Sequence, residues 1–282
     1  MSNELANITT MSNEDIMKAI GQDDGAKRVG VPRLTINRKQ EDDDGNQLPM
    51  GAYSVFHSDV GQNVYGKPAY FRPFLNTMQY MQYSPEKEEY VNRSIIFKNC
   101  KEEAIDIQGG TRCGKIPQRE WEKLGLTNEE LANQRTIKCY RLVFGLVSFD
   151  GHTEDKTSVK VKDYPVLWRG TGVQINPVGN ALQAISERKK LMFNCLLNLD
   201  SQKKKNGSNV YYVSSIKVDA DANIKLSKDD ELALSKFQTI INEENSEVLE
   251  LYRNAQKGNL KTVDTVDEKI VEVVDPAQAL AN

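Results

Sequence analysis

The chain has four cysteines and two histidines among its 282 residues. Cys100, Cys113, Cys139 and Cys195 are too scattered for a disulfide framework, and they form no CxxC pair of the kind a zinc site uses. His57 and His152 stand alone, so neither a metal nor a cofactor is expected. No activated serine or cysteine with a base beside it can be read from the order of residues, and no catalytic residue is assigned. There is no apolar run of about 18 residues or more, which excludes a membrane-spanning helix. The opening stretch MSNELANITTMSNEDIMKAIG has neither the charged start nor the apolar core of a secretory signal. Scattered thiols and the missing signal together predict a cytoplasmic protein.

Charge is abundant and sorted. Residues 1–50 carry 6 Lys+Arg against 9 Asp+Glu, residues 51–218 carry 24 against 17, and residues 219–282 carry 7 against 14. A basic middle and an acidic end therefore hide within the net charge of −3. Ten of the 21 aromatic residues crowd into Tyr53–Phe97, inside the basic middle. Cations interleaved with rings suit single-stranded nucleic acid, which offers phosphates and unstacked bases.

The expected organisation is a flexible arm over 1–30, a folded domain over 31–256 and a disordered, mildly acidic tail over 257–282. In the arm, Ser12 or Asn13 is placed to cap a short helix at Glu14–Ile20. EDDDGNQ (41–47) reads as an acidic turn between strands near Arg33–Lys39 and Gly51–His57. KPAYFRPFLNTMQYMQY and YVNRSIIFK flank SPEKEE as a long hairpin. A helix is expected at Asn128–Asn133 and strands at 137–149 and 164–172, with Gly145 marking a bulge. Asn176-Pro177 opens a helix that buries Val178, Ala181, Leu182 and Ile185. A second hairpin follows, with Lys203-Lys204-Lys205 at its tip. Ser227 and Asp230 form a capping box before a helix from Lys228 to Gln256, whose stripe is Leu232, Phe237, Ile240, Ile241, Val248 and Leu251. This order predicts a mainly β, α+β chain: an elaborated Greek-key barrel like the OB-fold, with a C-terminal helix.

Alternation along the Tyr70–Tyr83 strand predicts that Tyr70, Arg72, Phe74, Asn76 and Tyr80 share one face, opposite Phe71, Leu75, Met81 and Tyr83. Arg93 and Lys98 on the returning strand, and Lys138 and Arg141 on the later one, are placed to meet phosphates. Lys156, Lys160, Lys162 and Arg169 form a second basic cluster, and the Lys203–Lys205 triplet reads as a solvated loop. GGTRCGK (109–115) matches the glycine and lysine spacing of a phosphate-binding loop, but Ile116 stands where Ser or Thr should hold magnesium. A glycine turn presenting Arg112 and Lys115 is the plainer expectation.

RLTINRK (33–39), KPAYFRPFLN (67–76), GGTRCGK (109–115) and PVLWRGTGVQINPVGNAL (165–182) give the chain a layout that resembles phage-encoded single-stranded DNA-binding proteins. The resemblance covers roughly residues 31–256. It implies sequence-tolerant, non-catalytic binding in support of phage DNA replication or recombination, in the cytoplasm of an infected host. It also implies a basic, aromatic-lined groove, with Tyr70, Arg72, Phe74, Tyr80 and Arg93 at the matching positions, and an acidic C-terminus that recruits replication or recombination proteins. The tail here ends in VVDPAQALAN without a dense acidic run. The rival reading is a phage structural or assembly protein that uses the aromatic and basic strand as an oligomer interface.

Overall fold

The computed structural model describes residues 30–41, 45, 47–99, 102–207 and 209–263, with side chains through 257. The chain divides into Met1–Val31 and Pro32–Asn282, and every element below belongs to the second unit. The expected helix at Glu14–Ile20, most of the acidic turn and the tail from 264 onward lie outside the described residues.

Among the described residues, nine strands form one sheet: β1 Arg33–Ile36, β2 Tyr53–His57, β3 Gln62–Gly66, β4 Ala69–Ser84, β5 Glu89–Arg93, β6 Ile137–His152, β7 Ser158–Gly170, β8 Leu196–Asn206 and β9 Asn209–Asp219. With the helices α1 Asn128–Thr136, α2 Ile175–Glu187 and α3 Lys228–Val263, this is a mixed α+β chain dominated by its sheet. Strand order is β3-β2-β1-β7-β6-β4-β8-β9, with β5 beside the far end of β4. The β1–β7 pairing is parallel and all others are antiparallel. β3 also pairs with the end of β6 through Tyr65↔His152 and Gly66↔Gly151, so the pairings β1–β2–β3–β6–β7–β1 close a ring. Glycine is needed at this junction. A Cβ on Gly66 would collide with the Phe149 ring, and one on Gly151 would come within 2.5 Å of the Tyr65 carbonyl.

The main core lies on the face of β6 that carries Val143 and Val147, together with Leu34, Tyr53, Phe71, Trp168 and Leu197. α2 covers part of it with Val178, Ala181, Leu182 and Ile185, the four residues expected from helical periodicity. Its cap differs from expectation: a short turn at Gly172–Gln174 leads into the helix, so Asn176 and Pro177 sit within its first turn. The triplet Lys203–Lys205 also differs, because it continues strand β8 and the hairpin tip comes later, at Gly207 with φ +59°.

The opposite face of the sheet is covered along β4 by α3. At its start, Ser227 and Asp230 form the reciprocal capping box: the Asp230 N–H donates to Ser227 Oγ (3.1 Å) and the Ser227 N–H to Asp230 Oδ2 (2.8 Å). The same Asp230 oxygen meets Arg72 Nη1 at 2.9 Å, with both residues buried. The Arg72 fork also donates to the carbonyls of Phe193 (2.5 Å) and Lys225 (3.2 Å). Further along, Phe237 packs on Phe74 and Phe144, and the Asn245 side chain bonds both backbone groups of Ile96. The helix runs to Val263, seven residues past the expected end. Of its expected stripe, Phe237 and Val248 are buried, whereas Leu232 and Leu251 are exposed. Among the described residues, no helix is long and apolar enough to cross a membrane.

Removing one partner of a buried ion pair strands the other, which costs about 3–5 kcal/mol. Arg72→Ala should lower unfolding free energy by about that amount in urea titrations. Burial would raise the Asp230 carboxyl, but the Ser227 hydrogen bonds and the Arg72 charge outweigh it and hold the carboxyl below its usual range. A depressed carboxylate contributes stability above its unfolded pKa of about 3.9, and loses it as pH falls through the lower folded value. Asp230→Asn should therefore flatten the acid limb of the stability profile below about pH 4.

Candidate nucleic-acid interface

The face expected along Tyr70–Tyr80 does not form, because β4 has a bulge. Pro73 pairs with Gly145 and Leu75 with Phe144, leaving Phe74 as an extra residue. A bulge reverses the alternation beyond it. Tyr70 and Arg72 therefore share a face with Thr77, Gln79 and Met81, while Asn76 and Tyr80 join Phe71 on the other. Gly145 does lie at the bulge, but the extra residue belongs to the opposite strand; a Cβ on Gly145 would strike the Arg72 carbonyl and the Phe71 ring.

The ten expected contact residues are distributed accordingly. Tyr70 is 43% exposed. Arg72 is taken up by Asp230, and Phe74 is a core residue packed edge-on against Phe193 and Phe237. Tyr80 is half-buried and stacks on buried Phe97, with centroids 5.8 Å apart. Arg93 ion-pairs with Glu244 (2.7 Å) and Glu247 (2.9 Å) of α3. Burial works to lower its pKa, and the two carboxylates outweigh burial and raise it. Arg141 donates to Asn76 Oδ1 (2.9 Å), and its guanidinium lies against Gly179 of α2. Lys98 is exposed on a loop, Arg112 on the 3₁₀ turn Arg112–Gly114, and Lys138 on β6.

The GGTRCGK turn is filled from within. Asp106, 1% exposed, accepts the backbone N–H groups of Gln108 (3.0 Å), Gly110 (3.2 Å) and Cys113 (2.9 Å). A carboxylate thus sits where a cradle of amides would hold phosphate. Lys115 does not point outward: it donates to the Gln134 carbonyl near the end of α1 and lies 5.3 Å over the Trp121 ring. Burial lowers the pKa of this amine.

A different set of residues combines cations with exposed rings. Arg169 of β7 donates through Nη2 to the Tyr90 hydroxyl at 2.8 Å. Its guanidinium carbon lies 5.3 Å from the Tyr90 centroid and 4.6 Å from that of Tyr140. The two phenol oxygens are 3.4 Å apart, and Tyr83 meets Tyr90 edge to face at 5.4 Å. Tyr83 and Tyr90 are 38% and 36% exposed. Arg33 pairs with Leu167 in the β1–β7 register, which places it on the face of Arg169 two residues on. Burial, then the Arg169 charge, lowers the Arg33 pKa. Lys138, opposite Met81 and two residues from Tyr140, is an exposed expected contact residue on this cluster's face. Burial would raise the Tyr90 phenol, but the Tyr140 hydrogen bond and the Arg169 charge outweigh it and lower its pKa. Tyr140 is pushed up to about 12, chiefly by burial and then by Tyr90.

Among the described residues, neither Arg33 nor Arg169 has a carboxylate partner. Arginine has five N–H donors, and Arg169 spends one on Tyr90 and a weak contact on the Met81 sulfur (3.7 Å). The arrangement can therefore hold an anion beside rings that accept a stacked base. Tyr83 and Tyr90 flank the SPEKEE turn symmetrically, so their pairing was readable in the sequence. The approach of β7, which brings Arg169 over them, was not.

Comparison with known proteins finds no match: no family model, no curated protein and no solved structure matches this chain.

Two rings of the expected face, Tyr70 and Phe74, should separate cleanly on mutation. Phe74→Ala empties a core position and should cost about 3–5 kcal/mol. Tyr70→Ala should stay within about 0.5 kcal/mol of the parent. Thermal or urea unfolding of the two variants measures both.

Proposed function

We propose that this chain binds single-stranded DNA without sequence preference or catalysis, through Arg33, Tyr83, Tyr90 and Arg169, with Lys138 at the side and buried Tyr140 seating Arg169. The observation that carries the reading is a pair of arginines with no carboxylate partner among the described residues, set on one sheet face with two exposed tyrosines. Guanidinium groups pair with phosphates and tolerate any base, and aromatic faces stack on every base. The ring of strand pairings supports a small closed barrel of the OB type as the scaffold. In this reading α3 occupies the middle of β4, so a bound strand passes beside the helix, over the ends of β4, β5 and β7. The biological setting we infer is phage DNA replication or recombination in the host cytoplasm.

Each phosphate neutralised on a single strand contributes about −0.7 to the slope of log K against log salt. Arg169→Ala and Arg33→Ala should each reduce the magnitude of that slope by about 0.7 in a fluorescence titration with a labelled oligonucleotide. Tyr83→Ala should weaken binding by about 1–3 kcal/mol with the slope nearly unchanged. A flat salt response in the parent protein, or equal affinity for duplex, would contradict the reading.

A further inference from the structure

The β8–β9 hairpin extends well beyond its attachment to the sheet. β8 leaves β4 after Leu199↔Ala69, while its pairing with β9 continues without a break to Asn206↔Asn209. The last tethers are Ser201 Oγ donating to the Gly51 carbonyl (2.5 Å), Gln174 Nε2 donating to the Tyr212 carbonyl (2.8 Å), and the Tyr212 ring lying against Gly51. From Gln202 to Gly207, and again at Asn209 and Val210, every described residue is exposed.

This projecting ribbon holds three cations and no anion. Lys203 faces Tyr212, Lys204 faces Tyr211 and Lys205 faces Val210 across the ladder. Residues 201–212 contain no Asp or Glu, and the preceding Asp200 is tied to Lys67 at 2.8 Å. Lysine on an edge strand guards against unwanted strand pairing, and a single charge serves that purpose. Three in succession place cations on both faces of a ribbon that buries little of its own surface. Lysine acts as a point charge without planar selectivity, which suits a phosphate backbone whose bases vary.

Parity links this arm to the Arg169 cluster. Tyr70 pairs with both Ser148 of β6 and Asn198 of β8, so Tyr70, Lys204 and Tyr211 lie on the sheet face that carries Tyr140 and Arg169. At about 3.3 Å per residue, Tyr70 is roughly 40 Å from Tyr83 and about 20 Å from Lys204. Exposed Tyr70 therefore stands between two cationic ends of one face.

We propose that the β8–β9 arm is a second, purely electrostatic contact for the phosphate backbone of a long single strand whose other part occupies the Arg169 cluster. This rests on the single-strand reading given above. The test compares the parent with a variant carrying Lys203→Ala, Lys204→Ala and Lys205→Ala, using oligo-dT of about 4 nucleotides and oligo-dT well beyond about 16, the usual range of site sizes. On the long oligonucleotide the variant should lose about 2 from the magnitude of the salt slope, three phosphates at about 0.7 each. On the short one it should match the parent, and Lys→Arg at all three positions should restore the long-strand slope. Unchanged unfolding midpoints will show that the exposed substitutions leave the fold intact. If the variant keeps the parent slope on long strands, or loses equally on short ones, the arm proposal is overturned while cluster binding stands. If the parent binds neither oligonucleotide, both readings fail together.

Discussion

β4 carries one residue more than β6 between Pro73 and Leu75, and the arrangement of the rest follows from that extra residue. It turns Phe74 to the side of Arg72, where the guanidinium lies 5.1 Å over its ring, and offers both to the start of α3. It also brings Gln79, rather than Tyr80, to the helix side, where its amide donates to the Ser94 carbonyl (2.9 Å) and to Glu244 (3.2 Å). Gly145 makes the close approach possible, since any side chain there would meet backbone. With the parity reversed, α3 has a continuous seat: Arg72 for its capping aspartate, Phe74 and Phe144 for Phe237, then Gln79 and Arg93 for its glutamates.

That seat changes the meaning of the charge distribution. The acidic end and the basic middle look like separate regions along the chain, yet they fold onto one another. Asp230, Glu244 and Glu247 take up Arg72 and Arg93, and a helix carbonyl takes up Lys115. Among the described residues, the cations with no ion pair include two groups on one sheet face or its extension: Arg33, Lys138 and Arg169 near the Tyr83–Tyr90 hairpin, and Lys203–Lys205 on the projecting ribbon; exposed Lys98 and Arg112 stand apart on the other connections. Counting charges by segment measures what the chain contains. Only the pairing shows which cations have been spent internally.

Most of the element order was legible in the sequence, because it rests on local rules. The capping box at Ser227–Asp230, the apolar face of α2 and both hairpins all appear where alternation and turn chemistry put them. β3 went unread, since QNVYG is short and its burial depends on the glycine junction with β6. The site was less legible than the fold. Strict alternation put Tyr80 with Arg72, although Pro73, which cannot donate to the ladder of an inner strand, was the local sign of a bulge in FRPFLN. Arg169 was grouped with Lys156, Lys160 and Lys162 by proximity along the chain, whereas its partners Tyr90 and Tyr140 come from two other strands. Such contacts depend on strand order, which a single sequence does not state.

In the proposed complex a single strand lies on the Tyr83, Tyr90 and Arg169 face. Photo-crosslinking with an oligonucleotide carrying a halogenated uracil, followed by peptide mapping, locates that strand on the protein. Cross-links are expected within the peptide that spans Tyr83 to Tyr90. Cross-links that spare that peptide and fall instead near Lys98, Arg112 or Arg141 would contradict that placement.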